Sequence, residues 1–304
     1  MNILLAGASG QLGQELAPLL GALGRLIPVD RAPGLPGTVQ MDLTDFEAVG
    51  RLLDERRPDA VVNAAAYTAV DQAESAVHDA FRLNAGLPDT LARWCARNDR
   101  ALLHYSTDYV FDGSLDRPWR EQDRPNPLSV YGETKLAGEW AVTASGCRHL
   151  VLRTSWVYST HGSNFVLTML KLARERPSLS IVGDQRGCPT WARNLARVSA
   201  DLLGRLVAPA EEETSAAPHG IYHYCDDDAV TWYHFARLIF EQAVTLGHLQ
   251  AMPRLQAIAS AEFPQPARRP ANSVLDTTAI RAAFGVQPPE LAASLRTCLE
   301  ELEP

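Results

Sequence analysis

A tyrosine and a lysine four residues apart are the side chains whose spacing points most directly to chemistry. Tyr131 and Lys135 lie in a helical pattern, and an i, i+4 spacing places both on one helix face. A free phenol titrates near pH ~10, too high for an efficient acid at neutrality. Because a nearby ammonium favours the phenolate, Lys135 is expected to lower the pKa of Tyr131. The pair predicts a proton donor, although this spacing also occurs on many helices by chance.

A glycine-rich turn near the start of the chain could bind phosphate. Gly7, Gly10 and Gly13 form a G-x-x-G-x-x-G pattern between a predicted strand and a predicted helix. Glycines let the backbone turn tightly and approach a pyrophosphate, while the helix N-terminus presents free N–H groups to it. The pattern predicts a dinucleotide site, and the alternative is a glycine-rich turn that binds no ligand.

Three acidic or basic residues further along predict the adenosine end of that site. Asp30 lies 20 residues after Gly10, where a carboxylate would bind a ribose 2′-hydroxyl. Arg31 follows it and could instead pair with a 2′-phosphate, so the choice between NADH and NADPH stays open. Asp42 and Leu43 are expected near the adenine, although Asp42 could equally cap the next helix.

Two predicted strand ends bring further polar and small residues to the same place. Residues 63–66 (Asn-Ala-Ala-Ala) end the fourth strand, and residues 106–108 (Ser-Thr-Asp) end the fifth. Ligands bind at the carboxyl edge of parallel sheets. Ala64, Ala65 and Ala66 would let a flat cofactor lie against the backbone, so one crevice should hold both strand ends and Tyr131.

The elements that must position these residues alternate through the first half of the chain. Strands are predicted at 2–6, 26–30, 39–41, 60–63, 101–106 and 149–154, and helices at 11–20, 46–56, 88–98 and 130–145. This alternation is typical of an α/β fold with a Rossmann-type doubly wound parallel sheet. We expect residues 1–155 to form an NAD(P)-binding domain.

The second half predicts a smaller α+β lobe over residues 156–304. Helices are expected at 164–175, 191–206, 231–245 and 290–302, and strands at 180–182, 221–224 and 255–258. The segment near 190–206 is expected to pack back on the first domain. Residues 207–219, rich in Ala, Glu and Pro, predict an exposed loop.

Composition excludes several classes of function. The 304 residues carry a net charge of -8, which argues against a nucleic-acid surface because phosphate binding needs clustered Lys and Arg. No apolar run approaches the ~18 residues of a membrane span. The five cysteines are dispersed and form no C-x-x-C pair, which favours a reducing, cytoplasmic setting.

Longer motifs carry a resemblance to a known family. The sequence resembles the extended short-chain dehydrogenase/reductases and, within them, the reductases of dTDP-4-dehydrorhamnose. The likeness covers nearly the whole chain and rests on the motifs at 63–74, 104–113, 127–139, 153–158, 164–165, 184–190 and 264–273.

The resemblance implies NADPH or NADH as the cofactor and a small nucleotide-sugar as the substrate. It implies hydride transfer to a C4 ketone, with Tyr131 giving the proton, Thr107 binding the carbonyl and Lys135 holding the nicotinamide ribose. The cofactor-binding residues that the patterns and the resemblance together predict are Gly7, Gly10, Gln11, Leu12, Gly13, Asp30, Arg31, Asp42, Leu43, Ala64, Ala65, Ala66, Tyr67, Thr68, Tyr105, Tyr131 and Lys135. The implied substrate-binding residues are Thr107, Asp108, Tyr131, Trp156, Arg268, Arg269 and Asn272.

One departure from the family pattern concerns metal and assembly. Some members form a magnesium-bridged dimer through acidic side chains, and Glu15 matches one of them. Arg193 and Arg197 stand where the other acids are expected, which puts both Mg²⁺ and that dimer in doubt. A monomer and a homodimer are both compatible with the sequence.

Two other functions are compatible with parts of the pattern. A sugar-nucleotide dehydratase or epimerase would retain NAD, but dehydratases carry a Glu after the Thr-Asp pair, where this chain has Tyr109. A non-catalytic NAD(P)-binding regulatory subunit would have no need for Thr107, Tyr131 and Lys135 together.

Overall fold

The computed structural model describes residues 1–208 and 219–302. Its strands are β1 (Asn2–Ala6), β2 (Arg25–Asp30), β3 (Val39–Gln40), β4 (Ala60–Asn63), β5 (Ala101–Thr107), β6 (Arg148–Thr154), β7 (Val157–Tyr158), β8 (Ser178–Val182), β9 (Arg186–Gly187), β10 (Thr190–Trp191), β11 (Gly220–His223), β12 (Val230–Thr231) and β13 (Arg254–Ile258). Its helices are α1 (Gln11–Leu23), α2 (Phe46–Arg56), α3 (Val70–Ala73), α4 (Val77–Phe81), α5 (Leu87–Arg97), α6 (Val130–Ala144), α7 (Phe165–Glu175), α8 (Ala192–Val207), α9 (Trp232–Thr245), α10 (Thr278–Phe284) and α11 (Leu291–Glu300).

A seven-stranded sheet forms the centre of the molecule. Its strand order is β11-β6-β5-β4-β1-β2-β3, and every neighbouring pair is parallel. The order reverses between β1 and β4, so the carboxyl ends of these two strands flank a crevice at the switch point. The predicted Rossmann-type doubly wound sheet is confirmed.

Helices cover both faces of this sheet because its central strands are apolar on both sides. One core layer joins alternate residues of β1, β4 and β5 to α1 and α8, and the other joins the remaining residues to α2, α5 and α6. A strand that is buried on both faces appears in the sequence as a continuous hydrophobic run. For this reason, strands could be predicted at residues 60–63 and 101–106.

A smaller α+β lobe packs beside the sheet. The strands β8 and β13 pair in parallel, and α7, α9 and α11 enclose a separate apolar cluster with them. The strand at 221–224, which the sequence places in this lobe, instead pairs with β6 as the seventh strand of the central sheet. Helix α8 packs on α1. Strand β11 of the central sheet and helix α8 of the layer that covers it therefore both come from beyond residue 155.

Some elements escaped prediction, and one prediction cannot be compared. The short helices α3, α4 and α10, and a π-helical turn at Arg82–Gly86, are too brief to give a periodic signal. Most of the loop expected at 207–219 lies outside the described residues. Within the described ranges, no helix combines the length and apolar character needed to cross a membrane.

Candidate active site

A cleft of about 710 Å³ opens at the carboxyl edge of the sheet, between the ends of β1 and β4. Every residue predicted to bind the cofactor lines this cleft except Gly13. The lining residues that the sequence prediction included are Gly7, Gly10, Gln11, Leu12, Asp30, Arg31, Asp42, Leu43, Ala64, Ala65, Ala66, Tyr67, Thr68, Tyr105, Tyr131 and Lys135.

The glycine turn leaves the start of α1 free to hold an anion. Gly10 caps α1 without any side-chain hydrogen bond, and the first turn contains no acidic residue. Gly7 has a φ of +81°, and a Cβ there would lie 2.5 Å from the Ala65 backbone nitrogen. The turn and the end of β4 can therefore approach each other only at glycine, and the helix N–H groups stay available to phosphate.

Gly13 lies behind the turn rather than in the cleft. A Cβ at this position would lie 2.1 Å from the carbonyl oxygen of Gly7. Its role is to let α1 pack closely under the glycine turn.

Carboxylates fix the far end of the cleft. Asp30 accepts hydrogen bonds from the Ser9 and Ala32 backbone nitrogens, at 2.9 and 3.2 Å. Asp42 accepts from the Thr44 backbone nitrogen and hydroxyl, and these bonds lower its pKa. The N-cap of α2 is Asp45, which excludes the alternative that Asp42 caps this helix.

Helix α6 places Tyr131 and Lys135 on the other wall of the cleft. Ser129 caps this helix by accepting a hydrogen bond from the Gly132 nitrogen. The Lys135 ammonium is buried and donates to the carbonyl oxygen of Tyr105, at 2.6 Å. Tyr131 is half-buried and lines the cleft beside it.

The expected lowering of the Tyr131 pKa is wrong for the protein by itself. Burial raises the pKa of Tyr131 to about 12, and a hydrogen bond with Thr107 offsets only part of that effect. Burial also lowers the pKa of Lys135 to about 8, although Glu139 acts in the opposite direction. The cost of burying the phenolate of Tyr131 or the ammonium of Lys135 outweighs the attraction between these two charges that the i, i+4 spacing predicts.

Thr107 and Asp108 lie next to Tyr131 but outside the lining of the cleft. The Thr107 hydroxyl donates to the Asp108 carboxylate and accepts from the Tyr109 nitrogen, both at 3.1 Å. Ser155 also donates to Asp108, at 3.0 Å. Burial raises the pKa of Asp108 to about 6 despite these bonds, so this carboxyl gains a proton at a higher pH than an ordinary aspartate.

Two of the four other residues predicted to bind substrate make contacts that the sequence did not reveal. Trp156 has a φ of +46° and stacks on Trp232 with the ring centroids 3.4 Å apart. Asn272 donates to the carbonyl oxygens of Leu115 and Arg117, at 2.7 and 3.2 Å. The first contact lies within the second lobe, and the second fastens the segment at 264–273 to the loop between β5 and α6.

The two adjacent arginines of the late motif differ in their surroundings. Arg268 is exposed, whereas Arg269 is half-buried and forms a two-bond pair with Asp71, at 2.8 and 3.1 Å. Asp71 also accepts from the Ala267 nitrogen, and its pKa is lowered mainly by its hydrogen bond with Arg269. This pair fastens the segment at 264–273 to α3.

Glu15 is committed to an ion pair. It is buried, its carboxylate accepts from Arg193 Nε at 2.8 Å, and Ser159 donates to its other oxygen. Arg193 also pairs with Glu301. No group of three metal-ligating side chains occurs among the described residues. The Arg193 guanidinium lies beside Glu15, where a metal site of the family pattern would require a further acidic side chain.

Several cleft residues were missed by sequence reasoning. These residues are Thr44, Ala69, Gln72, Asp79, Leu83, Thr154 and Val157. Thr154 ends β6, so the strand-end argument that placed residues 106–108 at the crevice could have found it. The others lie in turns or in short elements whose path the sequence does not define.

The parallel sheet, the glycine turn and the Tyr-Lys pair in one cleft define an NAD(P)-binding protein of the short-chain dehydrogenase/reductase class. The family model described as RmlD substrate binding domain matches residues 1–303. The chain belongs to the dTDP-4-dehydrorhamnose reductase family.

Curated relatives support this assignment over their full length. The chain is 42% identical to the dTDP-4-dehydrorhamnose reductase of Shigella flexneri, over 99% of this chain and 98% of that protein. It is also 42% identical to the reductase of the same name from Escherichia coli K12, with the same coverage.

Solved structures agree in fold. A dTDP-4-dehydrorhamnose reductase from Clostridium acetobutylicum superposes with a TM-score of 0.86 at 34% identity, covering 99% of each chain. The reductase of that name from Bacillus anthracis, solved in complex with NADP, gives a TM-score of 0.87 at 29% identity, with the same coverage.

Proposed function

We propose that this protein reduces the C4 ketone of dTDP-4-dehydro-L-rhamnose to give dTDP-L-rhamnose, as a step in nucleotide-sugar and cell-surface polysaccharide biosynthesis. The observation that carries the proposal is the cleft itself, where Tyr131 and Lys135 face the glycine turn across the carboxyl edge of the sheet. The names of the relatives and the NADP bound by the Bacillus anthracis structure support the substrate and the cofactor.

The residues of the cleft fit a nicotinamide dinucleotide. The close approach at Gly7 would be filled by any Cβ, and the uncapped start of α1 offers N–H groups to a pyrophosphate. Gly10, Gln11 and Leu12 would hold the phosphates, and Asp30, Arg31, Asp42 and Leu43 would lie along the adenosine. When bound, the reduced nicotinamide supplies the hydride. Asp30 and Arg31 both line the cleft, which suits NADH as well as NADPH.

Tyr131 is placed to act as the acid. Its raised pKa keeps the phenol protonated throughout the neutral range, so the proton is present when negative charge develops on the reacting oxygen. A pKa this far above neutrality also makes the free phenol a weaker acid than one matched to the working pH. Thr107 lies beside it as a second hydrogen-bonding group for that oxygen. Lys135 donates one hydrogen bond to the Tyr105 carbonyl oxygen, and its other N–H groups would be available to a ribose hydroxyl.

The second lobe would bind the nucleotide part of the substrate. Arg268 is exposed, and Arg269 is held at a fixed place by Asp71. Guanidinium groups bind diphosphates through charge-assisted hydrogen bonds. Asn272 would act by shaping this segment, and Trp156 and Asp108 would act where the sugar meets Tyr131.

An assay of NADPH oxidation tests the proposal. The purified protein should oxidise NADPH when given dTDP-4-dehydro-L-rhamnose, with NADH and a GDP-linked keto-sugar as comparators. A protein that consumes neither cofactor, and that carries tightly bound NAD after purification, would instead support the dehydratase or epimerase function.

A further inference from the structure

Helix α6 carries a row of three functional groups at successive turns. Tyr131, Lys135 and Glu139 follow one another at i, i+4 and i+8, which places them along one face of the helix. Lys135 is 3% exposed, and Glu139 is fully buried. The row therefore continues beneath the cleft, beyond the two residues that the proposed reaction uses.

Glu139 is fixed by an arginine from the neighbouring strand. Arg153 of β6 donates from Nε and Nη2 to the two carboxylate oxygens, at 2.8 and 2.7 Å. The guanidinium also lies over the ring of Phe111, 5.1 Å from its centroid. A two-bond pair of this kind holds the carboxylate in one orientation.

The other groups around Lys135 supply no comparable negative charge. On β5, the Tyr105 carbonyl oxygen accepts a hydrogen bond from the Lys135 ammonium. His104 of the same strand is buried, and its Nδ1 lies 3.1 Å from the Asn63 amide nitrogen. Burial holds the pKa of His104 well below its usual value, so this ring is neutral. Tyr131 is a protonated phenol. The Asp108 carboxylate acts on the pKa of Tyr131, whereas the pKa of Lys135 responds only to burial and Glu139.

We propose that Glu139, fixed by Arg153, is a positioning residue that keeps Lys135 charged in its buried place beside the cofactor. This inference rests on the proposed function, because it concerns the lysine of the same cleft. A buried ammonium has lost its solvation, and beyond the hydrogen bond to Tyr105 a fixed anion one helical turn away offsets part of that loss. Burial and Glu139 act on the pKa of Lys135 in opposite directions, as this arrangement requires.

The test compares pH profiles of Glu139→Gln and the unchanged protein. Loss of the carboxylate should let Lys135 lose its proton more easily, and the alkaline limb of kcat/KM should move about one pH unit lower. NADPH binding, followed by fluorescence without any sugar, should weaken over the same pH range. Glu133→Gln is the matched control: it removes an exposed carboxylate from the same helix and should leave the limb in place.

Two further variants separate the proposed role from folding. Removing both ends of a buried ion pair is often close to neutral for stability, so Glu139→Gln combined with Arg153→Met should fold and still show the lowered limb. Glu139→Asp retains the carboxylate and should return the limb toward its original position. A folded Glu139→Gln variant whose limb stays in place or moves to higher pH overturns the inference. A failure of the unchanged protein to bind or oxidise NADPH would instead overturn the proposed function.

Discussion

Tyr131 keeps its proton across the neutral range because the walls of the cleft disfavour the phenolate. The pKa of Tyr131 is raised to about 12, while the pKa of Lys135 is lowered to about 8. Both shifts come first from burial, and they favour the uncharged form of each group. Tyr131 therefore holds the proton that an acid must donate, although it releases that proton less readily than an ordinary phenol. The pKa of Lys135 lies close to neutrality, so a modest rise in pH removes its charge.

Replacing Tyr131 with Phe should remove the acid and leave the shape of the cleft almost unchanged. We expect kcat to fall by about a hundredfold or more, with NADPH affinity near normal, because the proton transfer step alone is affected. Turnover can be followed by nicotinamide absorbance and affinity by fluorescence titration. An unchanged kcat would show that another group donates the proton.

The alkaline limb of activity should report Lys135. Its pKa lies below the ordinary value of 10.5, so the ammonium loses its proton at lower pH than a free lysine, and kcat/KM should decline above a pH of about 8. The measurement is a pH profile of kcat/KM at saturating NADPH. A profile that stays level up to a pH of ~10 would mean that Lys135 keeps an ordinary pKa or that its charge is not needed.

At the scale of one element, the close contact between α1 and the glycine turn fixes where the turn lies. Gly13 lies under the turn with no room for a Cβ, whereas Gly21 of the same helix has open space around it. The two positions differ in packing and share the same helical backbone. They therefore form a matched pair.

Gly13→Ala should push the turn away from its position. We expect the free energy of unfolding to fall by about 1–3 kcal/mol and NADPH affinity to fall with it, because the new methyl group meets backbone atoms that cannot move separately. Gly21→Ala should raise the free energy of unfolding by about 0.5–1 kcal/mol, since alanine restricts the unfolded chain. Thermal denaturation and NADPH titration check both. Equal effects of the two variants would contradict the packing argument.

Helices and strands with a clear pattern of apolar residues could be predicted from the sequence, whereas contacts between distant segments could not. The apolar runs of β1 and β4, and the amphipathic pattern of α2, gave the bounds that the structure shows. The pairing of Asp71 with Arg269 joins residues 198 positions apart, and no local pattern encodes it. The pKa of Tyr131 was mispredicted for a related reason, because spacing on a helix does not reveal how deeply that helix face is buried.

At the scale of the whole molecule, an ion-pair network ties the sheet domain to the end of the chain. Glu15 of α1 pairs with Arg193 of α8, which also pairs with Glu301 after α11. The cation makes a divalent metal unnecessary for neutralising the buried Glu15 carboxylate. Oligomeric state and a cytoplasmic location stay predictions from the sequence.

Arg193→Met should leave the buried Glu15 carboxylate without its partner. The free energy of unfolding is expected to fall by about 3 kcal/mol, because breaking a buried pair strands one charge. Arg237→Met, which breaks an exposed pair with Glu241, should change it little. Denaturant unfolding measures both variants. A similar stability for both would show that the Glu15 pair contributes no more than a surface pair.

Removal of divalent cations should have no effect on the reaction. Arg193 already neutralises Glu15, so treatment with a chelator is expected to leave kcat/KM unchanged. Activity that is lost with the chelator and recovered with Mg²⁺ would contradict this expectation.

The late entry of β11 and α8 into the central sheet has a consequence for how the protein is made. A nascent chain that has left the ribosome as far as residue 155 contains the whole glycine turn, Tyr131 and Lys135, yet β6 still has a bare edge and α1 an uncovered apolar face. Such an intermediate presents the surfaces that chaperones bind. The central sheet is therefore complete only after translation has passed residue 223.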